Sequence, residues 1–125
     1  MPIDASLPYD ESNILARILR GELPCIKVLE TGHSLAIHDI KPLAPIHVLV
    51  MPKGAYVSWD DFSAKASEAE IADFVRAVGE VGRMTGASAQ GYRVMANTGK
   101  RGGQEIAHLH VHVFGGAPLG PMLAR

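Results

Sequence analysis

Apolar positions recur at helical spacing over residues 12–20, where Ile14, Leu15, Ile18 and Leu19 share one face and Gly21 stands where a helix stops. The pattern predicts a short amphipathic helix. Beyond Pro24 the period shortens to two. Three β-rich runs, 26–30, 34–39 and 46–51, are separated by Thr31-Gly32 and by a segment from Lys41-Pro42 to Pro45. They predict strands, the first two forming a hairpin. After Pro52-Lys53-Gly54, Ser67 and Glu70 make a capping box ahead of Ile71, Phe74, Val75, Val78 and Val81. This is the main helix, expected to end near Thr85-Gly86. Two more strands, 92–97 and 107–114, flank a glycine-rich turn over 98–103, and residues 115–125 form a tail rich in Gly and Pro. Strands interrupted by one long helix predict an α+β fold, an antiparallel sheet covered by helix on one face.

Composition narrows this picture. The chain has 125 residues, 47% apolar and 20% charged, which suits one domain over 1–125 with a short N-terminal extension at 1–10. Twelve Lys and Arg against thirteen Asp and Glu leave a formal charge of −1, too little for a basic field that wraps a nucleic-acid polymer. Cys25 is alone, so no internal disulfide is expected, and residues 1–10 lack a basic stretch followed by an apolar one. No run approaches the roughly 18 apolar residues of a membrane span. The expectation is a reduced, cytoplasmic protein with no membrane partner.

The chemistry concentrates in Gly102-Gly103-Gln104-Glu105-Ile106-Ala107-His108-Leu109-His110-Val111-His112. Strand alternation sends His108, His110 and His112 to one face and Leu109, Val111 and Val113 to the other. Three such histidines admit two chemical readings. Alternate strand residues stand about 6.8 Å apart, so His108 and His112 begin about 13 Å apart, too far to share one zinc without strain. Two of them with His47 would still make a metal site. The other reading is nucleophilic catalysis on phosphorus, because imidazole, with a pKa of about 6.5, is mostly unprotonated at neutral pH. The central His110 has a neighbour on each side to hold its tautomer or donate to a phosphoryl group. Gly102 and Gly103 let backbone approach a ligand, with their amides, Asn97 and Gln104 as donors, and Lys100 and Arg101 add positive charge.

The stretch His108 to Phe114 resembles the histidine-triad (HIT) superfamily pattern, in which three histidines alternate with apolar residues and two apolar residues follow. The resemblance runs from Ile14 through Pro24, then His38-Asp39-Ile40 and Pro45-Ile46-His47, to Gly115-Gly116. It is nearest the Hint branch, the histidine-triad nucleotide-binding proteins, and the segment 118–123 resembles its bacterial members. The resemblance implies a HIT-like fold, a five-stranded antiparallel sheet with one short and one long helix, and a homodimer whose sheets join edge to edge. It implies no metal and no cofactor. His110 would attack the α-phosphorus and carry the nucleotidyl group until water removes it. His112 would contact phosphate and leaving group, and His108 and His47 would orient His110 in a hydrogen-bonded relay. Asp39 would hold the ribose hydroxyls; Ile40, His38, Leu15, Ile18 and Leu23 would surround the base; Asn97, Gly103, Gln104 and Glu105 would meet the phosphate. Animal members carry Ser where this chain has Glu105, whose carboxylate repels phosphate if it points inward.

The implied activity is hydrolysis of the phosphorus–nitrogen bond of purine nucleoside phosphoramidates, such as adenosine 5′-monophosphoramidate or lysyl- and aminoacyl-AMP linked through nitrogen. Two alternatives are a dinucleoside polyphosphate hydrolase of the Fhit type, in which Pro and Arg stand where Gly115-Gly116 stand here, and a non-catalytic AMP-sensing adaptor.

Overall fold

The computed structural model describes residues 1–124. Its sheet has five antiparallel strands, β1 (Lys27–Glu30), β2 (Ser34–His38), β3 (Ile46–Pro52), β4 (Arg93–Met95) and β5 (Val111–Gly115), in the order β1-β2-β3-β5-β4. The first three pair as successive neighbours, whereas β5 inserts between β3 and β4. The α+β expectation holds.

Helices cover both faces rather than the one expected, because the first helix packs its own apolar stripe on the face that the next two leave open. α1 (Ile14–Leu19) begins where the Asn13 side chain accepts from the Ala16 amide, and it ends before Gly21, whose φ of 78° suits the left-handed turn that follows a helix. α3 (Glu68–Met84) starts at the expected Ser67–Glu70 capping box. α2 (Trp59–Lys65) was not expected. Its capping box uses Asp61 with Ser58, and Phe62 is its one buried residue, so it carries no periodic apolar run for sequence reading to find. A one-turn helix, α4 (Gly99–Gly102), occupies the expected glycine-rich turn.

Two apolar layers follow from strand alternation. Ala36, Val48, Val50, Val111 and Val113 pack against Phe62, Phe74, Ala77 and Val81 of α2 and α3. Leu35, Ile37, Leu49 and Met51 face the other way and take Leu15 of α1. The hairpin is tied to α3 by Asp73, which accepts from the Thr31 hydroxyl at 2.6 Å and the Ser34 hydroxyl at 2.7 Å. Gly82 permits close packing of α3 on the start of β4, since a Cβ there would stand 2.6 Å from the Tyr92 ring. Among the described residues no helix is long and apolar enough to cross a membrane.

Candidate active site

The chain bends before it joins the sheet. Leu109 donates its amide to the Tyr56 carbonyl at 2.8 Å, outside the ladder, and β5 begins only at Val111. The expected strand 107–114 is therefore shorter, although Leu109, Val111 and Val113 still pack together in one layer, away from the imidazoles. His110 and His112 lie together, ring centroids 5.1 Å apart. His108 is fully buried beneath them.

Each imidazole has partners that assign its protons. His108 Nε2–H donates to the Pro52 carbonyl at 2.8 Å, so Nδ1 of the neutral ring accepts from the Tyr9 hydroxyl. His110 Nδ1–H donates to the backbone carbonyl of His108 at 2.8 Å, which leaves the Nε2 lone pair free. His47 Nδ1 accepts the Leu43 amide at 3.1 Å, so its Nε2–H donates to His112 Nδ1 at 2.9 Å. His112 consequently carries its proton on Nε2. One ring presents a lone pair and its neighbour an N–H.

The relay therefore differs from the one expected. His47 orients His112 rather than His110, and His108 holds His110 through its main-chain carbonyl rather than its ring. Phe114, which sequence reading left out of the site, completes the support. It alternates with His112 on β5, and its ring lies 5.5 Å from His112 at 2° and 4.2 Å from His47. Burial keeps all four rings neutral. It lowers the pKa of His108 and of His112 to about 4, the positive form of His110 adding repulsion to each and that of His47 also acting on His112. Burial also lowers His110 and His47, with Asp39 opposing in both cases.

Asp39 leaves β2 as a turn residue, its Oδ1 accepting the Lys41 amide at 2.8 Å, while Oδ2 stands 3.5 Å from His47 Nε2. Ligand atoms of Asp39, His47 and His112 all lie within 4.8 Å of one another, the spacing of a metal site. Proton placement opposes that use. Coordination through His47 Nε2 would move its proton to Nδ1, where the Leu43 N–H already points.

The remaining expected residues divide. Leu15 forms the floor of the apolar layer on this side of the sheet, with Ile37 and Leu49, which sequence reading did not single out, and Ile18 packs on its edge. Leu49 lies directly opposite His112 in the ladder. Leu23 is half-buried beyond α1, and Ile40, 87% exposed, stands beside Asp39 and open to a ligand. His38 alternates along β2 with Ser34 and Ala36, on the face opposite His112, and is exposed. Gln104 turns inward. It is buried, its amide donating to the carbonyls of Val57 at 2.6 Å and Ile106 at 3.0 Å while its oxygen accepts the Gly99 amide at 3.0 Å.

The backbone amide of Gly103, expected with that of Gly102 as a phosphate donor, closes α4 on the Lys100 carbonyl, and the Gln104 amide does the same on the Gly99 carbonyl. Glu105 points outward to the N-terminal ammonium of Met1 at 3.1 Å, which removes the expected conflict with a phosphate. Asn97 is half-buried, its backbone 3.7 Å from where a Cβ on Gly102 would lie.

Residues 20–119 match the model of the HIT domain. An uncharacterized 13.2 kDa HIT-like protein of Azospirillum brasilense is 62% identical over 94% of this chain and 96% of its own length. The purine nucleoside phosphoramidase of Escherichia coli is 37% identical over 92% of this chain and 96% of its own. A HIT family hydrolase from Clostridium thermocellum superposes with a TM-score of 0.80 at 32% identity, covering 92% of this chain and 99% of that one. With its imidazoles arranged as described and its similarity spanning most of both partners, the chain belongs to the HIT domain family.

Proposed function

We propose that the protein is a hydrolase that cleaves the phosphorus–nitrogen bond of purine nucleoside 5′-phosphoramidates, with His110 as nucleophile. The observation that carries this reading is the pairing of a free Nε2 lone pair on His110 with an Nε2–H on His112. Similarity to the Escherichia coli enzyme supports the substrate class.

In the first step His110 Nε2 attacks the α-phosphorus and the P–N bond to the amine breaks. The phosphate anion raises the proton affinity of the adjacent His47–His112 pair, and the departing amine takes a proton from that pair. In the second step water attacks phosphorus, returns a proton to the pair and breaks the P–Nε2 bond, releasing nucleoside monophosphate and free His110. Asp39 accepts the ribose hydroxyls through its half-buried carboxylate, and the layer of Leu15, Ile37 and Leu49, flanked by Ile18 and Ile40, takes the base without a demanding pattern of donors.

Turnover of adenosine 5′-phosphoramidate carrying a fluorescent amine tests the reading. Wild type is expected to release amine and to show a nucleotidyl adduct on His110 when quenched early. His110→Ala is expected to lose the adduct and at least about a thousandfold in kcat. The 2′-deoxy substrate is expected to lose on the order of 1–3 kcal/mol in transition-state binding, a difference that Asp39→Ala reduces. Cleavage of dinucleoside polyphosphates with phosphoramidates left intact, or tight AMP binding with no turnover of either, would replace this reading with one of its two alternatives.

A further inference from the structure

We propose that Tyr9, in the segment ahead of α1, is a positioning residue that aims His110 by fixing His108; the proposal rests on the reading of His110 as nucleophile. Among the described residues the Tyr9 hydroxyl bonds to His108 and not to His110, whose Nδ1–H is taken by the His108 carbonyl. It acts through one bond on each side of His108. The phenol O–H donates to His108 Nδ1, and the same residue's main-chain carbonyl accepts His110 Nδ1–H at 2.8 Å. With Nε2–H bound to the Pro52 carbonyl, the His108 ring is held from both nitrogens in a fully buried position. Its tautomer and its place are thereby fixed together.

The donor itself is firmly placed. Asp10, the next residue, accepts the amide and hydroxyl of Ser12 at 2.9 and 2.7 Å, and its carbonyl accepts the Asn13 side chain at 2.8 Å. The turn from Tyr9 into α1 is thus closed by its own side chains. Further back, the Ile3 amide donates to the Gln104 carbonyl at 2.7 Å, laying the segment along the loop that precedes the triad. Burial raises the Tyr9 pKa, which keeps the phenol protonated and able to donate. Edge-on packing of the two rings, centroids 5.6 Å apart at 70°, fixes the direction of that donation.

Removing the hydroxyl leaves a buried ring nitrogen without its donor. His108 then shifts to find one, and a shift of that residue carries its carbonyl with it. His110 loses alignment while the nucleotide recess keeps its shape, because none of the recess side chains bonds to Tyr9. The same tyrosine links the helix that supplies Leu15 and Ile18 to the residue that orients the nucleophile.

Tyr9→Phe keeps the ring and deletes only the donor. With adenosine phosphoramidate as substrate, kcat is expected to fall about tenfold while KM stays within about twofold of wild type. In nitrogen-15 spectra of the nucleotide-free protein, the His110 Nδ1–H resonance is expected to shift and to exchange faster with solvent. Unchanged kcat and unchanged His110 resonances in a folded Tyr9→Phe would overturn the proposal. Should Tyr9→Phe fail to fold, 3-fluorotyrosine at position 9 retains the hydroxyl and makes it a stronger donor. It is expected to move the His108 Nδ1 resonance and retain wild-type kcat, and a stationary resonance would overturn the proposal equally. If wild type does not turn over phosphoramidates, the functional reading fails, whereas the spectra still report whether Tyr9 holds His108 and His110.

Discussion

At the scale of single residues, the site is built from imidazoles whose burial forces neutrality, and this has a consequence for stability. His108 and His112 are held at about 4, whereas in the unfolded chain both titrate near about 6.5. Above that value neither state binds the protons, and folding keeps its full stability. As pH falls from about 6.5 towards about 4, the unfolded chain gains protons that the folded one refuses, so stability is lost through that window. A loss of a few kcal/mol by pH 4 is expected, at about 1.4 kcal/mol per unit of displacement. Chemical denaturation across this range checks it, and His108→Gln, which removes one of the two groups, should flatten the slope. A wild-type midpoint independent of pH would show that these rings are not held neutral. The same residues show how far sequence reading reaches. The nearness of His110 and His112 was legible because alternation puts them on one side of the strand. The burial of His108 was not, because it depends on Tyr9 and Pro52, which lie 99 and 56 residues away in the chain.

At the scale of elements, the strongly periodic segments were readable and the irregular ones were not. α1, α3 and the first three strands fall within a few residues of their sequence expectations, since a buried apolar stripe or alternation marks each. Over 96–110 the glycine-rich turn was legible but its conformation was not, because that is set by hydrogen bonds that no local pattern encodes. Gly103 takes a φ of 77° to end α4, and the Gln104 side chain then spans from the Gly99 amide to the carbonyls of Val57 and Ile106. This one buried amide joins three backbone segments under the triad. Gln104→Leu is of similar size but leaves two carbonyls and one amide unpaired, and is expected to destabilise the protein by roughly 2–4 kcal/mol. Denaturant unfolding measures the loss, and hydrogen exchange at the Gly99 amide locates it. A cost below about 0.5 kcal/mol, the range of ordinary surface substitutions, would mean that the loop is held by something else.

At the scale of the whole molecule, the sheet is asymmetric in what it leaves open. β1 at one edge is charged at both ends, by Lys27 and Glu30, the manner in which an exposed edge resists pairing. β4 at the other edge has no proline, and its central Val94 is 48% exposed. Beside it lies a cleft of about 620 Å³ lined in part by Ile46, Tyr92, Arg93, Pro118 and Leu119. Arg93 donates to the carbonyls of Gly120 at 2.9 Å and Pro121 at 3.3 Å, which holds the tail next to the edge, and Met122 and Leu123 are then left exposed. Of the tail, Arg125 falls outside the described residues. An unprotected strand, a cleft and a pinned apolar tail on one side favour a symmetric partner of the same chain, with β4 meeting its counterpart and the two sheets running on as one. Strand pairing alone buries little, so the cleft and tail must supply most of the area, on the order of 800 Å² per chain for a stable dimer. The expected result is twice the chain mass by sedimentation at micromolar concentration. Val94→Lys places a charge at the centre of the edge without touching the buried layers, and is expected to give a folded monomer. A wild type that sediments as a monomer, or a Val94→Lys variant that remains dimeric, would place the partner elsewhere or remove it.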